Sequence, residues 1–210
     1  MSKRVLVVAA HPDDETLGCG GTIARHVAEG DLVHVVFMAD GVGARGLEKP
    51  AVLRERSAAR DKALGILGVK NWHLLGFPDN RMDSIALLDV VQALEPIVQR
   101  YKPTRVYTHH HGDLNVDHRV TYQAVMTACR PLPGASVREI LAFEVMSSTE
   151  WSFNVSVAFT PSVYIEISEY LNRKCEALSV YEIEMRSVPH SRSTQHLQSL
   201  AQHRGNTAGV

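Results

Sequence analysis

A short apolar run near the start of the chain limits the folds that this sequence can adopt. Residues 4–10 read RVLVVAA, which is too short for a helix, rich in β-branched side chains and followed directly by a polar turn. Such a run is typical of a strand that is buried on both faces, as strands of parallel sheets are. Similar runs at residues 32–39, 72–75 and 104–110 alternate with helical patterns. We therefore predict an α/β fold, with a doubly wound, mostly parallel sheet and helices on both of its faces.

The segments between these strands space their apolar residues as helices do. We predict helices at residues 16–28, 51–67 and 85–99, with Pro96 as the site of a kink in the last one. Residues 42–50 are rich in glycine and charge and are predicted to form a loop.

The later part of the chain is less regular. We predict strands at residues 139–145 and 163–167 and a helix at 169–185. The sequence contains no convincing linker and no internal repeat. We therefore predict a single domain over residues 1–210, in which the part from about residue 135 completes the sheet and the site.

The composition excludes several classes of protein. The chain has 22 Lys and Arg against 23 Asp and Glu, a balance that argues against nucleic acid as a partner. Its first apolar run meets polar residues too soon for a signal peptide or a membrane span. Three widely spaced cysteines (Cys19, Cys129 and Cys175) suggest neither a disulfide framework nor a thiolate zinc site, and they favour a cytoplasmic location. The 11 histidines make metal or acid–base chemistry worth searching for.

Residues that can bind a metal follow the first and the fourth predicted strands. The first strand ends in HPDDE at residues 11–15, and the fourth ends in HHHGDLNVDH at residues 109–118. The carboxyl ends of parallel strands meet at one edge of a sheet, where ligands bind. Catalytic zinc sites use three ligands such as His and Asp, an open position for water and a nearby carboxylate as base. The sequence therefore predicts one shared metal site.

Neighbouring side chains point in different directions, so one of Asp13 and Asp14 can face a metal while the other faces its water. Either residue could instead cap the helix that follows. Three consecutive histidines at 109–111 cannot all face one metal from a strand. We regard His118 as the better ligand candidate because Asp117 indicates a helix start beside this edge. The histidines that we interpret as surface or hydrogen-bonded residues are His26, His34, His73, His196 and His203.

Three other functions fit the sequence less well. Glycines at 18, 20 and 21 open a helix after a strand, but Ile23 stands where the dinucleotide-binding fingerprint needs its last glycine. A serine nucleophile is not supported, since no G-x-S-x-G motif occurs. Metal-dependent phosphoester hydrolysis stays open as a rival, although it usually needs two metals or a basic phosphate clamp.

Three motifs together resemble the PIG-L/LmbE-like family of zinc-dependent N-deacetylases: AHPDDE at 10–15, LGCGG at 17–21 and DLNVDHR at 113–119. The resemblance continues at residues 67–69, 77–79 and 189–193. It implies a Rossmann-like fold and a hydrolase that removes acetyl groups from N-acetylglucosamine-type sugars or their conjugates. It also implies Zn²⁺ as cofactor, with Fe²⁺, Co²⁺ or Mn²⁺ as alternatives, and leaves open a homo-oligomer.

Carried over residue by residue, the resemblance makes His11, Asp14 and His118 the zinc ligands and Asp13 the general base. It places Arg56 and Asp79 against the substrate. Asp117 would orient a neighbouring ligand from behind. The reaction that these roles imply is attack of water on the acetamide carbonyl, with release of acetate and a free amine.

Two departures from the family pattern bear on these roles. Several relatives carry a histidine three residues before the last zinc ligand, where it stabilises the oxyanion, whereas this chain has Asn115. Asn115 or His190 would then have to supply that hydrogen bond. The same departure leaves open a catalytically weakened module that binds metal or sugar. Relatives with a segment like 189–193 commonly continue into another strand, which leaves open a C-terminal truncation.

Overall fold

The computed structural model describes residues 2–45, 50–153 and 157–209. Its strands are β1 (Arg4–Ala9), β2 (Leu32–Ala39), β3 (Asn71–Phe77), β4 (Arg105–His109) and β5 (Glu139–Phe143). Its α-helices are α1 (Asp14–Ala28), α2 (Pro50–Leu67), α3 (Leu87–Tyr101), α4 (Val116–Ala128), α5 (Leu171–Ser179) and α6 (Thr194–Ala208).

The five strands form one parallel sheet in the order β3-β2-β1-β4-β5. The chain starts in the middle of the sheet, builds β2 and β3 on one side, and then returns to place β4 beside β1 on the other. Strand order reverses between β1 and β4, and ligands bind at such a reversal in open α/β sheets. The predicted parallel, doubly wound sheet is confirmed, and the two segments with metal-binding residues follow adjacent strands.

Alternate residues of β1 supply two separate cores, which is why the run is apolar throughout. Val5 and Val7 face a core that is covered by α1, α2, α5 and α6. Leu6 and Val8 face a second core that is covered by α3 and α4. All four side chains are fully buried. Helices therefore lie on both faces of the sheet, as predicted.

The second half of the chain differs from the prediction. Residues 163–167 pair with no strand in the described ranges, so the strand predicted there is wrong. One of their backbone groups is used differently, since the carbonyl of Glu166 accepts a hydrogen bond from Arg25 Nη1 at 2.8 Å. The helix predicted at 169–185 is also too long, because α5 ends at Ser179 and turns follow.

Helix α6 was not predicted, and its sequence explains why. Leu197 is its only fully buried residue, so the apolar stripe that marks a helix is almost missing. Pro96 lies inside α3, which nevertheless continues to Tyr101. The loop predicted at 42–50 includes residues 46–49, which lie outside the described ranges. No described helix combines the length and the apolar character that crossing a membrane requires.

We predict that a methyl group at position 18 destabilises the fold. A Cβ atom on Gly18 would lie 2.2 Å from Phe143 Cδ2 and 2.7 Å from its Cγ. Because the Phe143 ring is buried and packs against His109, Gly18→Ala should cost about 1–3 kcal/mol of unfolding free energy. Gly65→Ala, in α2 with open space around it, should instead stabilise by about 0.5–1 kcal/mol. Urea unfolding of both variants tests this difference, and equal effects would contradict it.

We predict an acid-sensitive contribution to stability from His34, whose Nε2 lies 2.7 Å from His73 Nδ1. Burial, together with the charges of His73 and Arg100, lowers the pKa of His34 to about 4. In the unfolded chain its pKa is about 6.5, so acidification protonates the unfolded chain first and stability should fall between about pH 6.5 and 4. His34→Gln should flatten the pH dependence of unfolding in this window. The exposed control His196→Gln should leave it unchanged.

Candidate metal centre and active site

Three predicted ligands meet beyond the carboxyl ends of β1 and β4. His11 follows β1, Asp14 is the first residue of α1, and His118 lies in the first turn of α4. Asp14 Oδ2 lies 3.2 Å from His11 Nδ1 and 3.2 Å from His118 Nε2. All three residues are buried, and their ligand atoms lie within 4.8 Å of one another. The structure therefore brings together two imidazoles and a carboxylate that could hold one metal ion.

The remaining imidazole nitrogens face carboxylates. His11 Nε2 lies 2.9 Å from Asp117 Oδ2 and 3.1 Å from Asp79 Oδ1. His118 Nδ1 lies 3.1 Å from Asp113 Oδ1. Histidines that bind metals usually donate their other N–H to a carboxylate in this way, which fixes the tautomer and the ring orientation. The arrangement leaves His11 Nδ1 and His118 Nε2 to face a cation.

The supporting carboxylates are themselves held in place. Asp117 accepts hydrogen bonds from the backbone N–H groups of Asn80, at 2.7 Å, and Met82, at 3.0 Å. Asp113 accepts hydrogen bonds from the hydroxyl groups of Ser148 and Thr149. Ser148 and Thr149 belong to the turn after β5, so the second half of the chain supports the metal centre.

The carboxylates in this cluster favour the positively charged form of both histidines. Burial acts to lower the pKa of His11, but hydrogen bonds to Asp117, Asp14 and Asp79 outweigh it and raise the pKa well above its usual value. Burial also acts to lower the pKa of His118, but Asp14 and Asp113 raise it to about 9. The surrounding carboxylates therefore stabilise positive charge between them, which a bound cation would provide.

Among the three consecutive histidines at 109–111, His109 is the one that contacts a candidate metal-binding residue in the described structure. It is fully buried, and its ring stacks on that of His118 with the centroids 3.9 Å apart. Its Nε2 accepts the backbone N–H of Ala10 at 2.8 Å, which links the end of β4 to the end of β1. Burial and the charge of His118 lower the pKa of His109 well below its usual value, so the ring is neutral.

Asp13 contacts other residues than the three candidate ligands do. It adopts a positive φ of 120°, which is unfavourable for a residue with a side chain, and its N–H donates to Glu15 Oε2 at 2.9 Å. Its Oδ1 lies 3.3 Å from Arg56 Nη2 and its Oδ2 lies 3.0 Å from Arg192 Nη1. The two adjacent aspartates therefore face different surroundings. Burial raises the pKa of Asp13, although the charges of Arg56 and Arg192 oppose this shift.

Two buried glutamates complete the surroundings of Asp13. Glu184 lies 3.2 Å from Arg56 Nη1 and 3.3 Å from Arg192 Nη1, so it balances charge on both guanidinium groups. Glu15 accepts hydrogen bonds from Asp13 N–H and from the hydroxyl of Tyr181 at 3.2 Å. Burial raises the pKa of Glu15 to about 7, although its hydrogen bonds oppose the shift.

Two residues predicted to bind substrate lie next to this centre. Arg56 is buried, and its Nε and Nη1 have no hydrogen-bond partner in the described structure; Nη1 forms an ion pair with Glu184 without hydrogen-bond geometry. Asp79 contacts His11 and accepts the N–H of Ala44 at 2.8 Å. Arg56 therefore has N–H groups to offer a ligand, whereas the oxygens of Asp79 already contact groups of the chain.

The two candidates for oxyanion stabilisation are placed differently. Asn115 caps α4, since its side-chain oxygen accepts the N–H of Asp117 at 2.8 Å and its amide donates to Asn80 at 2.9 Å. His190 Nδ1 accepts the N–H of Arg192 at 3.0 Å, which places His190 beside the arginine that contacts Asp13.

Sequence reasoning missed several residues of this centre. Asp113 opens the DLNVDH motif and Arg192 lies in the 189–193 segment, so both lay within motifs that the sequence analysis used. Their roles follow only from the folded contacts. Glu184 carried no local signal, because it lies in a turn between two helices and shares Arg56 and Arg192 with Asp13 through folded contacts.

The chain is similar to known proteins over most of its length. The family model described as PIG-L: GlcNAc-PI de-N-acetylase matches residues 6–129. The uncharacterized deacetylase YaiS of Escherichia coli (strain K12) is 35% identical over 187 residues, which are 86% of this chain and 91% of that protein. A probable N-acetyl-alpha-D-glucosaminyl L-malate deacetylase 2 of Bacillus cereus is 27% identical over 198 residues, or 90% of this chain and 86% of that protein.

A solved structure shows the same fold. The N,N'-diacetylchitobiose deacetylase from Pyrococcus horikoshii has a TM-score of 0.78 at 21% identity, and the match covers 100% of this chain and 80% of that one. The matched family segment, 6–129, contains the three candidate ligands together with Asp113 and Asp117.

We predict that His118→Ala abolishes stoichiometric zinc binding at this centre, because it removes one of the three candidate ligands. Asp113→Asn should lower zinc affinity by about 10–100-fold, since it weakens the support of His118 Nδ1. The control His111→Ala, at an exposed position, should bind like the unaltered protein. Competition with a chromophoric chelator measures all three. An unchanged zinc affinity in His118→Ala would rule out His118 as a ligand.

Proposed function

The chain belongs to the PIG-L (GlcNAc-PI de-N-acetylase) family, and on that basis we propose that it is a zinc-dependent hydrolase that removes the acetyl group from an N-acetylated amino sugar or its conjugate. The observation that carries this proposal is the convergence of His11, Asp14 and His118, with a second buried carboxylate on Asp13, the residue that precedes Asp14. Hydrolysis of an unactivated amide needs both an electrophile and a base, and these residues provide a place for each.

His11 Nδ1, Asp14 Oδ2 and His118 Nε2 would hold the metal. When bound, a divalent cation supplies Lewis-acid chemistry to water and to the amide carbonyl. Two imidazoles and one carboxylate suit Zn²⁺ and also accept Fe²⁺, Co²⁺ or Mn²⁺. Asp117 and Asp79 on one side, and Asp113 on the other, keep the two rings in the orientation that this requires.

Asp13 acts as the base. Its carboxylate takes a proton from the attacking water, a C–O bond forms at the acetamide carbon, and the C–N bond then breaks. The same carboxyl group returns the proton to the departing amine, so that acetate and a free amino sugar leave. Burial raises the pKa of Asp13, which makes the carboxylate a stronger base than an exposed aspartate. Arg56 and Arg192 hold its two oxygens in place.

The substrate needs directional hydrogen bonds near the base. Arg56 is suited to this role because its buried Nε and Nη1 have no hydrogen-bond partner in the described ranges. We also propose that Asp79 contacts the substrate. For the oxyanion we favour His190 over Asn115, since the amide of Asn115 is used in capping α4 and in bonding Asn80.

The identities of the sugar and of its aglycone are not specified by these residues. The Bacillus cereus relative is described as a probable N-acetyl-alpha-D-glucosaminyl L-malate deacetylase, and this supports a small N-acetyl sugar or conjugate as substrate. The three cysteines are free, which supports a reducing compartment such as the cytoplasm.

We predict that Asp13→Asn retains zinc but loses about 10²–10⁴-fold in turnover, because an amide cannot take the proton from water. Acetate release from a panel of N-acetyl sugars measures the rate, and elemental analysis measures the metal. The control Asp83→Asn removes an exposed carboxylate and should keep full activity.

Removal of zinc with a chelator should abolish acetate release, and its return should restore it. Full activity in Asp13→Asn would defeat the assignment of the base. Phosphate release from a phosphomonoester such as p-nitrophenyl phosphate, without acetate release from the sugars, would favour the phosphoester hydrolase, and zinc binding with neither product would favour a binding module.

A further inference from the structure

The turn after β5 connects several parts of the centre. Ser148 and Thr149 bond Asp113, and Ser147 Oγ accepts a hydrogen bond from Arg192 Nε at 2.6 Å. Trp151 ends this turn, so it is positioned by the same contacts that hold the supporting carboxylate and the arginine of the base.

The turn is held together by hydrogen bonds between its own residues. Thr149 N–H donates to the carbonyl of Val145 at 2.9 Å, and Val145 N–H donates to the hydroxyl of Thr149 at 2.8 Å. Ser147 N–H donates to Glu150 Oε1 at 2.6 Å, and Ser152 N–H donates to the carbonyl of Thr149 at 3.2 Å. Trp151 therefore lies at the end of a hydrogen-bonded turn, and 41% of it is exposed.

An exposed tryptophan beside a polar centre is the kind of side chain that lines ligand sites. The Trp151 ring meets the ring of His190 at 5.6 Å between centroids and an angle of 74° between planes. His190 in turn accepts the N–H of Arg192, whose guanidinium contacts Asp13. Contacts through Arg192 and His190 thus link the base to Trp151.

We propose that Trp151 forms an aromatic subsite that binds the second ring of a disaccharide-type substrate. This inference rests on the proposed function. The acetamide must reach Asp13, and the contacts that link Asp13 to Trp151 run through Arg192 and His190. In this arrangement the sugar that carries the acetamide lies nearer Asp13, which leaves Trp151 to the ring that follows. A pyranose presents a face of C–H groups, which packs on the flat apolar face of an indole.

The substrate comparison uses N-acetylglucosamine and N,N'-diacetylchitobiose with the zinc-loaded full chain. Trp151→Ala should raise the KM for the disaccharide about tenfold, equivalent to about 1.4 kcal/mol, while the KM for the monosaccharide and both kcat values stay nearly constant. Trp151→Phe, which keeps a flat ring, should restore most of the preference for the disaccharide.

The matched control is Leu132→Ala, which removes another exposed apolar side chain, 60% accessible, from the loop after α4. That loop lies where β5 begins, at the opposite end of the sheet from the metal centre. Leu132→Ala should leave both KM values unchanged.

Fluorescence gives a readout that does not depend on turnover. The sequence has two tryptophans, so Trp72→Phe leaves Trp151 as the single indole. N,N'-diacetylchitobiose should shift its emission on mixing, whereas N-acetylglucosamine should shift it much less. An unchanged emission with the disaccharide, or equal KM changes for the two sugars in Trp151→Ala, would overturn the subsite.

These results separate the subsite from the proposed function. Acetate release without any preference that depends on Trp151 leaves the deacetylase and removes the subsite. If neither sugar releases acetate, the deacetylase proposal fails for these sugars, and the emission of Trp151 alone decides whether the disaccharide binds.

Discussion

The buried carboxylate of Asp14 is the group on which the rest of the centre depends. Its Oδ2 accepts the N–H of His11 at 2.8 Å and lies 3.2 Å from both candidate ligand nitrogens. An unpaired charge in such a position would cost several kcal/mol, so the imidazoles, or a cation between them, are needed for the fold as well as for chemistry. Asp14 opens α1 and His118 lies in the first turn of α4, so two helix N-termini meet where strand order reverses.

The parallel sheet and the meeting of the two motifs could be predicted because they follow from local patterns. Strands that are apolar on both faces must be covered on both faces, and the crossover rule then places the ends of β1 and β4 on one edge. The second half gave weaker signals. Residues 163–167 alternate like a strand but lack a partner strand in the described structure. Helix α6 buries too few apolar residues to show the sequence pattern of an amphipathic helix.

The parts of the site that sequence could not predict are those made by contacts between distant segments. Glu184 has no neighbours in sequence that indicate chemistry, and the motif that contains Arg192 does not show its partner, yet the two residues meet Arg56 and Asp13 across more than a hundred residues. The neutral state of His109 depends on its burial and on the ring stacked upon it, and a run of three histidines cannot show which one is buried.

The turn after β5 touches both the support of His118 and the arginine that holds Asp13, yet it lies beyond residue 129, where the family match ends. The segment that the family model matches therefore holds the three candidate ligands, whereas one of their supports is supplied by a turn outside it. A change in that turn can tilt the ring of His118 without altering any candidate ligand.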